Sequence, residues 1–284
     1  VAVERLSAGK ERDDREQKWW KQALHLSRAE FTQLRRARIA LFYLTGLPVI
    51  LFFMSISSQA VYTNSGTHVD PGAASLFTMM PVLAAAIGLM HISAVFTVRR
   101  EQHILKRLRV AGARVSTMIT AVCAPTLAFV LVVTAGLCTF GIVAAGQFPA
   151  APALLLCAVV LSSVSMSLFG IWISRFARTA ETVQVISLIP LILLILGSGA
   201  SIPLEYMSDR WSQLVWFSPL APLVDLFRAA YFGADFFGGR ITGVAPLERA
   251  ELWTSALPAL GVSLAWVGVF VYLVRSVPWT AHRT

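Results

Sequence analysis

The 284-residue sequence predicts an all-α polytopic membrane protein with six transmembrane helices and both termini in the cytoplasm. Three observations carry that reading. Hydrophobic residues make up 56% of the chain and charged residues 14%, with a mean hydropathy of +0.68, whereas a soluble domain carries about a quarter charged residues. Six apolar windows reach the roughly 20 residues that a helix needs to cross a hydrocarbon core. Finally, the cations alternate: 20 of the 24 Lys and Arg fall on one side of the six spans and four on the other.

Residues 1–38 carry ten of those cations and form a polar cytoplasmic tail. Near its end Trp20, Leu24, Phe31 and Leu34 recur at helical spacing among Lys18, Lys21, Arg28, Arg35, Arg36 and Arg38, the pattern of a helix lying in the inner interface. Membrane anchoring by Trp and Arg explains the same residues. The chain opens on charge, without a short basic region running directly into an apolar core, so no cleavable signal peptide is expected. The first span, 39–61, then serves as the insertion signal.

The remaining spans are expected at 75–98, 117–143, 151–173, 183–202 and 255–277. All should be helical, because backbone polar groups in lipid must be satisfied within the segment and no alternating barrel pattern is visible. Pro48, Pro81, Pro125 and Pro190 mark expected kinks. Cys123, Cys138 and Cys157 lie inside apolar runs and form no C-x-x-C pair, which reads as packing and not as a disulfide or zinc site. Orientation follows from the second loop with six cations, the turn with Arg175 and Arg178, and Arg275 and Arg283 at the end. The opposite side holds Arg210, Arg228, Arg240 and Arg249 among six acids in 203–254. The positive-inside rule places the cation-rich side in the cytoplasm. The net charge of +9 is thereby topological and calls for no nucleic acid.

The second loop is the most informative stretch. In "RREQHILKRLRVAGAR", residues 99–114, Ile104, Leu105, Leu108, Ala111 and Val115 form one apolar stripe, while Gln102, His103, Lys106 and Arg109 face away. Gly112 breaks the helix before the third span. Periodicity leaves two readings open, a basic helix resting on anionic lipid and a docking helix for a cytoplasmic partner. On the other side, 203–240 is too long for a hairpin and too amphipathic for a disordered loop. Two short helices around Pro219 and Pro222, dipping into the outer leaflet and returning, are expected there. Asp225 and Arg228 would be covered by a local ion pair or by carbonyl hydrogen bonds; an interfacial cap anchored by Trp211, Trp216 and Tyr231 is the alternative.

"RREQHILKRLRVAGARVSTMI", residues 99–119, resembles the first cytoplasmic loop of ATP-binding-cassette exporter permeases of the second, multidrug and daunorubicin-export type. The matching residues are Arg100, Glu101, Leu105, Leu108 and Arg109. The sequence departs from the family at His103 and Ile104, where Gly-Thr is common, and at Ala111 and Gly112, which replace a proline turn. A longer stretch, 173–233, resembles the family's C-terminal half, with Glu181, Gly197, Gly199, Pro203, Pro219, Pro222 and Arg228 as landmarks.

The resemblance implies a six-span permease domain over 39–284, with a coupling helix at about 100–112 formed by Arg100, Glu101, Ile104, Leu105, Leu108 and Arg109. It implies a separate ATPase subunit in two copies, which carries the ATP and Mg, and a second permease chain, identical or homologous. It also implies a cargo cavity built from the first, second and fifth spans, where Phe52, Phe53, Met79, Met80, Met90, Gln184 and Leu188 are the candidates, and an external gate of Pro203, Trp211, Phe217, Pro219, Pro222, Asp225 and Arg228. Sparse charge among the cavity candidates suggests an amphiphilic or apolar cargo such as a drug, lipid or peptide. Multidrug efflux across a bacterial cytoplasmic membrane is the setting implied.

No phosphate-binding G-x-x-x-x-G-K-[ST] loop occurs in the sequence, and no cofactor is expected on this chain. No catalytic residues and no metal site are expected either: an S-x-x-K at 7–10 lacks its companion motifs, and the five histidines form no ligand cluster. His91 is an intramembrane ionisable residue and therefore of functional interest, although a hydrogen bond to a neighbouring carbonyl also explains it. A membrane enzyme acting on lipid, or a passive channel or sensor subunit, remains the alternative.

Overall fold

A computed structural model describes residues 46–64 and 69–277. The expected interfacial helix, the 7–10 stretch and the start of the first span at 39–45 lie outside these residues. Among the described residues every regular element is helical, apart from an isolated antiparallel bridge between Ala234 and Pro246.

The stretch expected as the first span contains the helix α1, Leu47–Asn64. The second, α2, runs unbroken from Pro71 to Glu101, 31 residues. It starts sharply because the Asp70 side chain accepts a 2.7 Å bond from the Ala73 amide and Pro71 occupies the first turn, where a missing N–H costs nothing. Pro81 does not break it, and a π-helical segment at Ile87–Ile92 carries the irregularity instead. A short helix, α3 (Ile104–Val110), follows. Then come α4 (Val115–Ala145) and α5 (Pro152–Ile173), the latter prolonged by a 3-10 turn at Ser174–Phe176.

The fifth span, α6 (Ala180–Leu196), is shorter than its apolar window. The Gly197 amide closes onto Leu193, and Gly199 adopts φ +75°, so the chain turns away six residues before the hydropathy falls. Short helices α7 (Asp209–Trp216) and α8 (Ala221–Phe232) come next. The last span, α9 (Arg249–Val274), begins earlier than its apolar window because Glu248 and Glu251 form a capping box that satisfies the first free amides.

Four of these helices, Pro71–Glu101, Val115–Val143, Pro152–Phe176 and Arg249–Val274, are long and apolar enough to cross a membrane. They divide into two classes. Of their most apolar windows, 78% is buried within the protein in α2 and 67% in α5, against 22% in each of α4 and α9. Thus α2 and α5 form the interior, and α4 and α9 keep broad apolar faces outward for lipid.

The interior pair meets backbone to backbone. A Cβ added at Gly88 would lie 2.4 Å from the Met166 carbonyl carbon, and one at Gly170 would lie 1.9 Å from the Gly88 carbonyl oxygen. Only hydrogen fits on either side, and the close approach gives α2 and α5 their van der Waals contact where no hydrophobic effect drives helices together. Gly170→Ala should therefore cost about 1–3 kcal/mol through overpacking. Gly268→Ala, on a helix face with open space around it, should be neutral or slightly stabilising. Thermal unfolding of the two variants in the same detergent checks the contrast.

Candidate functional site: the basic turn at 99–114 and the cap around α8

At the Glu101 end of α2, α2 and α3 are separated only by Gln102 and His103. His103 sits at φ 59°, ψ 17° and is the single non-glycine residue with positive φ among the described residues. This left-handed position is one that glycine enters freely and that histidine tolerates better than most residues. The sharp turn is therefore made without glycine, and α3 leaves α2 at a defined angle. At the far end the Gly112 amide bonds to Arg109 and the Ala113 amide to Leu108, with Gly112 at φ +83°. This is a Schellman closure, and Gly112 does turn the chain into α4.

The apolar stripe of α3 faces the protein's own interior. Leu105 is 2% exposed and packs with Phe96, Met118, Val122, Leu168 and Phe270, with half-buried Leu108 beside it. Ile104 is half-buried and Ala111 exposed. The outward surface consists of Glu101, Lys106, Arg107, Arg109 and Val110, the last 83% exposed. Arg100 is turned inward as well: its guanidinium donates at 2.8 Å to the Ser174 carbonyl and also to that of Ala177. The Ser174 carbonyl opens the 3-10 turn after α5 and the Ala177 carbonyl follows it, so a cation placed there meets acceptors at the negative end of a helix. The loop before α3 is thereby tied to the end of α5. Nearby, Arg175 donates to the Ser276 hydroxyl at the end of α9.

At the opposite end, α7 has no buried residue, whereas eleven of the twelve residues of α8 are buried against α2, α5 and α9. Pro219 lies between the two helices and Pro222 opens α8. Asp225 and Arg228, one turn apart on α8, are both about 1% exposed. Asp225 Oδ2 accepts from Trp216 Nε1 at 2.8 Å and from the Gly238 and Gly239 amides at 3.0 and 3.1 Å. Arg228 donates through Nε to Thr78 Oγ1 and through Nη2 to the Gly199 carbonyl, both at 2.8 Å, and its guanidinium lies 5.7 Å from the Tyr62 ring centroid. Tyr62 and Thr78 share a 2.6 Å hydrogen bond. Of the two ways expected to cover these charges, hydrogen bonding is the one observed. Arg228 thus joins α8 to α1, α2 and the turn after α6.

Residues 21–232 match the model of the family described as ABC-2 type transporter. The chain belongs to the ABC-2 type transporter family. It is accordingly a membrane-embedded permease component of an ABC transporter. No curated protein gives a significant match to it.

The described cavity candidates of this ABC-2 permease occupy different environments. Met79 and Met80 are 2% and 4% exposed and belong to the core, where the Thr134 hydroxyl reaches the Met80 sulfur at 3.8 Å. Met90 and Gln184 are half-buried, while Phe53 and Leu188 face outward at 63% and 43% exposure. Phe52 lies on α1, and its side chain is outside the described residues. Sequence reasoning missed Thr78, Tyr62 and the stacking of Phe77 on Tyr231, ring centroids 3.7 Å apart. It also missed the link between α2 and α6, a 3.1 Å hydrogen bond between Ser93 and Ser187. Single hydroxyls in apolar spans carry no periodic signal.

Among the gate candidates, Pro203 is buried, and Trp211 and Phe217 are exposed. Glu205, just after Pro203, clamps the external loop: its carboxylate accepts from the Ile241 and Thr242 amides at 2.9 and 3.0 Å and from the Thr242 hydroxyl. Partial burial by itself would raise the Glu205 pKa. The Thr242 hydroxyl, the two amides and the charge of Arg240 outweigh it and hold the carboxyl below its ordinary value. A depressed carboxylate stabilises the fold above its unfolded-state pKa, and that contribution vanishes as the pH falls through the folded-state value. Proteolytic cleavage of the 238–246 loop should therefore rise on acidification through that low range. Glu205→Gln should remove this pH step, as read by limited proteolysis across a pH series with an acid-active protease.

Proposed function

We propose that this permease is half of an ATP-driven exporter that moves an amphiphilic or apolar cargo out of the cytoplasm or the inner leaflet of a bacterial cytoplasmic membrane. Two copies of a separate ATPase subunit, carrying ATP and Mg, would power it, and a second permease chain, identical or homologous, would complete the pathway. Both termini would lie in the cytoplasm.

The observation that carries this reading is the construction of the turn at 99–114. Its outward tip is basic around one exposed apolar residue, Val110, and its inward side is rigidly joined to the spans. A push on Lys106, Arg107, Arg109 and Val110 would pass through Leu105 into the core shared by α2, α4, α5 and α9, and through Arg100 into the end of α5. The Ser93–Ser187 link would carry the displacement of α2 to α6, whose outward face holds Leu188. Such a movement switches a cavity between inward and outward access when nucleotide binding favours one of the two arrangements. At the other end, α7 and α8 would dip into the outer leaflet and act as the gate, with Arg228 fixing α8 to α2.

Val110→Asp places a charge on the exposed tip, so folding and membrane insertion should be unchanged. If the tip docks on an ATPase, a buried unpaired charge should weaken the contact by several kcal/mol, and stimulated ATPase activity and transport should fall together by at least tenfold. Normal transport by this variant would overturn the docking role. Leu105→Ala should instead destabilise the protein itself, by about 2–5 kcal/mol. For orientation, a single cysteine at position 240 should react with an impermeant maleimide on intact cells, and one at 107 only after permeabilisation. Reaction of position 107 from outside would refute the arrangement.

A further inference from the structure

Between α7, the 233–240 loop and the first turns of α9 lies an open pocket of about 420 Å³, a volume suited to a small ligand. Its walls include Trp216, Phe217 and Phe237, and its polar groups include Asp235, Arg240 and Gln213. Two walls are held from behind by one carboxylate oxygen, since Asp225 Oδ2 accepts from both Trp216 Nε1 and the Gly238 amide. A third is held by α9, whose Trp266 Nε1 donates to the Phe217 carbonyl at 2.8 Å. The pocket is therefore rigid before any ligand arrives.

Its charges are of both signs and are loosely committed. Arg240 and Asp235 approach at 3.4 Å, with 66% and 32% of their side chains exposed. An exposed pair of this kind contributes about 0–1 kcal/mol, so a ligand that offers better partners can separate it. The Arg240 guanidinium retains a fork of donors matched to a phosphate. Asp235 together with three aromatic rings matches an ammonium group.

The depth of the pocket points to the source of such a ligand. Ser255 and Pro258, also in the lining, lie roughly 9–14 Å along α9 from its start, at about 1.5 Å per residue. Phe217 in the lining, and Trp211, Leu214 and Leu257 on α7 and α9, are 59–66% exposed, apolar and aromatic surface of the kind found at the level where headgroups meet acyl chains.

We propose that this pocket binds the headgroup of a zwitterionic phospholipid of the outer leaflet, with the phosphate on Arg240, the ammonium between Asp235 and the aromatic walls, and the acyl chains running down the face of α9. The assignment to the outer leaflet rests on the orientation proposed above. The binding itself does not depend on transport.

The test uses native mass spectrometry of the full chain, purified in detergent and supplied with equimolar phosphatidylethanolamine and phosphatidylglycerol. The lipid bearing an ammonium should be retained at least tenfold over phosphatidylglycerol. Arg240→Gln and Asp235→Asn should each reduce its retention about tenfold, and Ser255→Trp, which fills the pocket without altering charge, should abolish it. Arg178→Gln, on the opposite side, should change nothing, and thermal unfolding verifies that each variant is folded. Equal retention of the two lipids, or a preference untouched by Asp235→Asn, would reduce the site to phosphate recognition and overturn the proposal. Displacement of the lipid by millimolar inorganic phosphate would identify a free-anion site. Retention indifferent to Arg240→Gln, with an alkyltrimethylammonium amphiphile bound equally well, would identify a cation site and overturn it too. Because no ATPase or cargo is present, failure here leaves the transport reading standing, and loss of transport in Val110→Asp leaves the lipid site standing.

Discussion

The contact between Gly88 and Gly170 is the constraint from which the rest of the structure follows. With a Cβ on either side the two backbones could not meet, and α2 would stand away from α5. At this depth the surrounding lipid is as apolar as any side chain, so packing alone must hold the spans together. The π-helical segment at Ile87–Ile92 includes Gly88. A local widening of α2 at the crossing accommodates the close approach within a helix that is otherwise continuous over 31 residues.

That continuity makes α2 the element on which both functional ends depend. One end supplies Arg100, and the other supplies Thr78, which receives Arg228. The two arginines act alike: each is buried and each donates to a carbonyl at the end of a helix, Ser174 after α5 and Gly199 after α6. A guanidinium suits this role because it stays charged and offers five donors, so one side chain closes several open acceptors at once. Leaving such a buried charge without its acceptors is costly, the more so for Arg228, whose Nη1 already lacks a hydrogen-bond partner among the described residues. The joints at the two ends of α2 are therefore stiff. A displacement at one end of α2 then has few places to dissipate before it reaches the other.

The external cap follows the same economy of satisfied polar groups. Asp225 and Arg228 are one helical turn apart, yet each finds separate partners. Asp225 gathers Trp216 and two glycine amides and so organises the 233–240 loop, while Arg228 reaches inward to α2. The charge of Arg228 and the hydrogen bonds to fixed dipoles together favour the buried Asp225 carboxylate, and the separate hydrogen bonds of the two residues position two different segments of the chain.

The sequence by itself determined the membrane class, the placement of the apolar helices and the alternation of charge, because lipid imposes length, polarity and helical satisfaction on each segment separately. Gly112 as a helix stop and the pair of short helices around Pro219 were legible for the same local reason. The amphipathic stripe of the 99–114 segment was legible too, but which neighbour it packs against was not. Periodicity shows that Leu105 and Leu108 share a face, and only the return of α4, α5 and α9 to the same place shows that the face belongs to the protein's own core and leaves Val110 and the cations outside. Likewise Met79, Met80 and Leu188 are equally apolar in one dimension, and the tertiary structure alone separates the buried methionines from the outward leucine. The end of α6 at Leu196, the stiff joints at Arg100 and Arg228, and the pocket beside Arg240 were all decided there, because each joins residues from distant parts of the chain, and a contact between distant segments leaves no local pattern in either.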